Sequence, residues 1–196
     1  MLDRQPRFNA PWREAEASPA HAGSEMDEKR GAILAELPRL RRYARALVRD
    51  RDSADDLVQD CIEKALARID NWQTGDNPRR WLFTIMHHLF VDQLRKVKRR
   101  AETVPISEES ERAFVTQPTQ LESLQAREVL DALQEIEPDR RSALVLVAVE
   151  GMTYAEAATV LGIPAGTLMS RIARGREELR AQLEDASRRR KIRVVE

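Results

Sequence analysis

The sequence predicts an all-α fold, built as two small helical domains joined by a flexible linker. Three observations carry this prediction. Apolar residues recur at spacings of three and four along most of the chain. Aromatic residues make up only 5% of it, and glycine only seven of 196 residues, which argues against a sheet-rich fold. A polar, net-acidic stretch with Pro105 and Pro118 separates two helical clusters. With 42% hydrophobic and 34% charged residues, the chain suits small bundles better than one large core.

Residues 1–32 hold scattered Pro, Ala, Ser and Gly without an apolar period, and are expected to form a disordered tail. Two starts fit this composition: Met1 with a genuine flexible extension, and Met26, where an orderly helical pattern begins. The first domain is expected over 33–100. Its first helix carries Ile33, Leu37, Leu40, Ala44 and Leu47 as an apolar stripe. A second helix, with Asp52 or Ser53 as N-cap, turns Leu57, Val58, Cys61, Ile62, Ala65, Leu66 and Ile69 inward. The stretch NWQTGDNP reads as a loop. Pro78 suits the first position of a long helix reaching about Arg100, on the order of 35 Å long, with Trp81, Leu82, Ile85, Leu89 and Leu94 inside.

A linker is expected over 101–125 and a second domain over 126–186. Thr119 and Glu122 have the spacing of a capping box, ahead of a helix carrying Leu121, Leu124, Val129, Leu133 and Ile136. Pro138 opens the next helix. Its run from Ala143 to Val149 is nearly all apolar and expected to be buried on most sides, with Gly151 as its stop. Thr153 and Glu156 form another capping box for a helix to Leu161. Gly162-Ile163-Pro164 is a tight turn, a last helix runs to about Glu184, and residues 187–196 form a basic tail.

The net charge of zero conceals strong segregation. Arg39 to Arg51 holds six arginines and one acid, whereas Asp52 to Glu63 holds five acids and no base. Residues 79–100 carry seven bases against Asp92 alone. Separate faces of this kind suit separate partners, and a neutral total weakens unaided DNA binding. Cys61 is the only cysteine, which excludes an internal disulfide and a cysteine-based zinc site. His87 and His88 are adjacent and point to different sides of any helix, so no metal site or cofactor is expected. No nucleophile–base pair or phosphate loop suggests an enzyme. No run approaches the roughly 18 apolar residues of a membrane span, and no signal peptide is visible, so the expected compartment is the cytoplasm.

Residues 153–176, TYAEAATVLGIPAGTLMSRIARGR, have the pattern of a helix-turn-helix: a capped short helix, a turn containing glycine, then a helix with polar residues outward. Ala157, Val160, Leu161, Ile163, Leu168 and Ile172 would lock the two helices together. Thr167, Ser170, Arg171, Arg174 and Arg176 would be left to reach phosphates and base edges in a major groove. An ordinary hairpin with a solvated arginine face is disfavoured, because no acid occurs from Ala165 to Arg176.

IEPDRRSALVLVAVEGMTYAEAATVLGIPAGTLMSRIARGREELRAQL resembles the promoter-reading C-terminal domain of extracytoplasmic-function (ECF) sigma factors of bacterial RNA polymerase. SADDLVQDCIEKALARID and PRRWLFTIMHHLFVDQLRKVKRR are similar to two helices of the same family's N-terminal domain, in the right order. The resemblance implies a sigma-two helical bundle followed by a sigma-four helix-turn-helix. It also implies a sigma factor for a stress or envelope-type regulon, partnered by core RNA polymerase, promoter DNA and an anti-sigma factor. By the same resemblance Asp56, Gln59, Asp60 and Glu63 face core polymerase; their spacing does place them on one helix face. Asp76, Asn77, Arg79, Arg80, His88, Arg95, Lys96 and Lys98 would bind the −10 element, with Asp76 and Asn77 suited to hold a flipped base. Thr167, Ser170, Arg171, Arg174 and Arg176 would bind the −35 element. Trp81 is expected to be structural, while Trp72 and Phe83 fit either core or stacking roles. The chain departs from the family pattern at His88, usually asparagine, at Met169, usually basic, and at Gly175, usually alanine. Two other functions fit less well. A helix-turn-helix regulator acting without polymerase leaves the acidic face unexplained, and a sigma-mimicking partner of an anti-sigma factor usually carries a receiver domain, for which this length has no room.

Overall fold

The computed structural model describes residues 19–73, 76–103 and 124–193. These residues form seven α-helices: α1 (Pro19–Leu47), α2 (Arg51–Leu66), α3 (Pro78–Thr103), α4 (Leu124–Gln134), α5 (Pro138–Ala148), α6 (Tyr154–Leu161) and α7 (Ala165–Arg193), with a 3-10 turn at Ile69–Asn71. Most of the expected linker, including the Thr119–Glu122 capping box, lies outside the described residues.

Several boundaries differ from the sequence reading. Residues 19–32 are helical, not a disordered tail. Met26 packs against the core, and Lys29 is buried with Nζ 3.0 Å from a carboxylate oxygen of Glu25, one turn earlier. Those anchors hold a segment whose composition shows no apolar period. The N-cap of α2 is Asp50 rather than Asp52 or Ser53: its Oδ2 accepts from the Ser53 N–H at 2.8 Å and from the Ser53 hydroxyl at 2.9 Å. Those bonds hold the Asp50 carboxyl below its usual pKa. At the other end α7 continues to Arg193, so most of the basic tail is helix. Arginine and lysine are good helix formers, and charge alone did not mark an end there.

Burial also sharpens the inner faces. On α3 the deepest residues are Leu82, Phe83, Met86 and Phe90, while Trp81, Leu89 and Leu94 are only partly covered. The buried stripe is broad because α3 packs on α1, α2 and α6. Trp72 is buried and stacks on Trp81, with ring centroids 5.8 Å apart and planes 9° apart; both Trp72 and Phe83 therefore belong to the core. Leu66, expected inside, is exposed, because α2 ends there. On α5 burial is complete from Arg141 to Leu146, but Ala148 and Val149 face outward.

One apolar cluster runs without a break from Ile33 to Ile172, so the two helical halves pack on each other. α1 meets α4 and α5 as well as α2 and α3. Polar side chains fix this junction. Gln134 Nε2 donates to the carbonyls of Ala46 (3.1 Å) and Arg45 (3.4 Å), which belong to the last turn of α1. Arg141, itself buried, donates to Gln134 Oε1 at 2.5 Å and to the Gln134 carbonyl at 3.2 Å, closing the C-terminal end of α4. Arg49 pairs with Glu135 across the same seam.

Two measurements follow from this packing. A Cβ on Gly175 would stand 3.4 Å from Arg140 Cβ and from its carbonyl oxygen, an ordinary contact. Gly175→Ala should therefore raise stability by about 1 kcal/mol through helix propensity. A lowered urea midpoint for this variant would show that α5 and α7 tolerate no side chain there. His87 is buried on α3 with Nδ1 unpartnered, and burial, then the neighbouring His88, lowers its pKa from 6.5 to about 4. Its neutral form stabilises the fold fully above about pH 6.5. That contribution is lost as pH falls toward 4, because the unfolded chain takes up the proton first; the loss is on the order of 3 kcal/mol. His87→Gln should flatten this part of the stability–pH profile, and an unaltered profile would assign the slope to other groups.

Candidate nucleic-acid interface

The helix-turn-helix is locked at both ends of its first helix. The Glu156 N–H donates to Thr153 Oγ1 at 3.2 Å, while Glu156 Oε2 accepts from the Thr153 N–H at 2.9 Å and from its hydroxyl at 2.7 Å. These reciprocal bonds make the expected capping box and hold the Glu156 carboxyl below its usual pKa. Gly162 closes α6 at φ +63°, a left-handed position that glycine adopts without a Cβ clash. Ala157, Val160 and Leu161 of α6 are buried with Leu168 and Ile172 of α7, and Ile163 packs beside them. α7 is thereby oriented with Thr167, Met169, Ser170, Arg174 and Arg176 exposed.

Arg171 differs from its neighbours. It is half-buried and pairs with Asp139 in the first turn of α5. Arg140 pairs with Glu178 and, at 3.2 Å, with Glu137. Asp139, Arg140, Thr167, Ser170, Arg171 and Arg174 line an open cleft of about 440 Å³ between α5 and α7.

At the start of α3, Asn77 acts as an N-terminal cap: its Oδ1 accepts from the N–H groups of Arg79 (3.1 Å) and Arg80 (3.3 Å). Its side-chain oxygen is thus engaged by the fold, while Asp76 beside it is exposed. A pocket of about 200 Å³ opens here, lined by Trp72, Asp76, Asn77, Arg80, Trp81 and, from α6, Thr159. Arg80, His88, Lys96 and Lys98 are exposed, and Arg95 is exposed with Asp92 3.5 Å away. Arg79 turns inward instead. Its guanidinium lies 5.8 Å from the centre of the Phe83 ring, and Nη2 is 3.8 Å from Glu150 Oε2.

The acidic face stands apart from both basic ones. Asp56, Gln59, Asp60 and Glu63 are all exposed along α2, opposite the buried Leu57, Val58 and Cys61. Gln59 Nε2 donates to Glu63 Oε1 at 3.0 Å, as expected for neighbours one turn apart. Among the described residues no cluster of His, Cys, Asp or Glu could hold a metal ion, and no helix is long and apolar enough to cross a membrane.

Sequence reasoning missed Arg42, Asp139, Glu150 and Thr159. Arg42 donates from Nε and Nη2 to the two oxygens of Glu150 at 2.8 and 2.9 Å, across a separation of 108 residues. No helical spacing connects such partners, so periodicity carries no trace of them.

Residues 33–87 match the family described as the Sigma2 domain of PhyR, and residues 126–179 match Sigma-70, region 4. The chain is 41% identical over 157 residues to the ECF RNA polymerase sigma factor EcfG of Rhodopseudomonas palustris, covering 80% of this chain and 86% of that protein. It is 34% identical over 140 residues to the ECF RNA polymerase sigma factor SigC of Mycobacterium tuberculosis, covering 71% and 75%. Among solved structures it is similar to the sigma factor RpoE in complex with the anti-sigma factor NepR from Bartonella quintana. That match has a TM-score of 0.68 and 35% identity, covering 79% of this chain and 96% of that one.

Proposed function

The chain belongs to the ECF RNA polymerase sigma factors, and from that premise we propose how its surfaces divide the work of promoter-specific initiation. The α2 face of Asp56, Gln59, Asp60 and Glu63 docks on core polymerase. α3 and the loop before it engage the −10 element, with Asp76 and Asn77 from the loop and Arg79, Arg80, His88, Arg95, Lys96 and Lys98 from the helix. The α7 face of Thr167, Ser170, Arg171, Arg174 and Arg176 enters the −35 major groove. The observation that carries this reading is the acid-free stretch from Ala165 to Arg176, which exposes Thr167, Ser170, Arg174 and Arg176 on the second helix of a capped helix-turn-helix. The protein works in the cytoplasm on a stress or envelope-type regulon, leaves nucleotide chemistry to the polymerase, and is restrained by an anti-sigma factor, as in the solved RpoE–NepR pair. Run-off transcription with purified core polymerase and a promoter library tests the whole reading; no initiation at any promoter removes it.

A second reading has one observation in its favour. The first half matches the sigma2 domain of PhyR, and PhyR from Bartonella quintana is an anti-anti-sigma factor. A sigma-mimicking partner of that kind has no need of base-reading groups on α7, so the exposed Thr167, Ser170 and Arg174 favour the sigma factor.

Reversal of charge at Asp60 and Glu63 checks the polymerase face. The double lysine variant should bind core polymerase more weakly with unchanged helical content, since both side chains are exposed on a well-packed helix. Unimpaired binding would assign the face to solvent.

On α7 the free and the engaged arginines should behave differently. Arg174→Ala should weaken binding to every −35 duplex and make the salt dependence shallower. Arg171 must leave Asp139 to reach a base; if it makes a bidentate contact, Arg171→Ala should cost about 1–3 kcal/mol and relax preference at one position. Met169→Lys adds a cation at an exposed position and should steepen the salt slope of holoenzyme on −35 duplexes. Unchanged slopes for Met169→Lys and Arg174→Ala, measured by fluorescence anisotropy, would remove α7 from the groove.

A further inference from the structure

We propose that Arg42 and Arg79 form a phosphate-binding pair for promoter DNA, and that Glu150 fills it in the closed molecule, so the pair becomes available only when the two halves part. The proposal deepens the sigma-factor reading and rests on it.

The geometry begins with the anion already there. The Glu150 carboxylate side chain has no exposure to solvent, and Arg42 meets both of its oxygens through Nε and Nη2 at 2.8 and 2.9 Å. This parallel fork is the arrangement that a guanidinium makes with carboxylate and phosphate alike. The hydrogen bond to Glu150 raises the Arg42 pKa. Arg79 supplies a second positive charge 3.8 Å from Oε2. Its buried Nε has no hydrogen-bond partner, so it can still donate to a larger anion with more acceptor oxygens.

The two sides of the contact belong to different halves. Arg42 projects from α1 and is half exposed; Arg79 lies in the first turn of α3, next to the exposed Arg80 and the Asp76–Asn77 loop. Glu150 follows α5, in the half that carries α7. Its N–H donates to the Val145 carbonyl at 3.0 Å, and Gly151 at φ +65° turns the chain back, which aims the carboxylate at the arginines. The Arg42 fork, engaged through both Nε and Nη2, cannot hold the Glu150 carboxylate and a phosphate at once. DNA at Arg42 and Arg79 therefore excludes the closed packing, and the closed packing excludes DNA there.

The test uses the full chain and a fluorescent −10 single-stranded oligonucleotide, followed by anisotropy across a salt series. Glu150→Gln should bind several-fold more tightly than the parent, with a salt slope steeper by the one or two phosphates gained, about 0.7 for each. Adding Arg42→Ala to Glu150→Gln should reverse the gain and return the slope toward the parent value. Energy transfer between labels on α2 and α7 should fall in Glu150→Gln as the halves separate. If that variant loses helical content, Glu150→Asp, which keeps the charge but shortens the reach, replaces it with the same expected order. Parent-like affinity and slope in the folded variant would overturn the proposal, as would a gain that Arg42→Ala leaves intact. Run-off transcription by the parent holoenzyme separates the two readings. Initiation with unaltered oligonucleotide binding sinks only the phosphate pair; absent initiation with the expected binding changes sinks the sigma-factor reading and leaves a nucleic-acid phosphate site.

Discussion

A carboxylate with no access to water must be met by positive charge, and Glu150 is such a carboxylate. Stranding a buried charge costs about 3–5 kcal/mol, far more than an exposed ion pair contributes. The groups that meet it stand on α1 and α3, while Glu150 follows α5. Apolar surfaces alone would let the two halves slide, since burial of hydrocarbon has no direction. A guanidinium fork does have one. Arg42 therefore sets the register between the halves, and the Arg141–Gln134 chain onto the end of α1 sets it a second time, some way along the same seam.

α5 is the element on which the electrostatics converge. Asp139 in its first turn engages Arg171, and Glu150, just beyond its end, draws in Arg79 as well as Arg42. The arginines expected to reach DNA thus divide into a tied pair and a free set that includes Arg80, Arg174 and Arg176. A chain of zero net charge has only local charge with which to approach DNA, so the state of these pairs bears directly on how much of it is presented.

Much of the helical architecture was legible because its causes are local. The capping box of α6, the glycine after Leu161 and the apolar spacing of α2 each act within a turn or two of the chain, and each stands where sequence placed it. Asp50 was passed over for Asp52 because several good caps occur together and only backbone geometry selects among them. The early start of α1 was hidden because its anchors, Met26 and Lys29, depend on tertiary packing and on a single i,i+4 pair. Motif and spacing together place the exposed acids of α2 and the outward residues of α7 on their faces. They cannot show that Arg79 folds inward while Arg80 remains out, because that outcome turns on Glu150, a partner distant in sequence; the Asn77 cap on α3 is local, and was passed over because the residue was assigned to the loop.

Cys61 lies on the buried side of α2, its thiol directed at the Leu82 carbonyl 3.5 Å away, and burial pushes its pKa to about 12. At neutral pH a thiol of that acidity is ionised to roughly one part in 10⁵, and the thiolate is the form that oxidants and electrophiles attack. The one sulfhydryl of this chain is in effect chemically silent while the fold is intact. Peroxide or disulfide stress has no thiol handle on the folded chain itself, so a thiol-based oxidative signal has to be sensed by another molecule and delivered by contact.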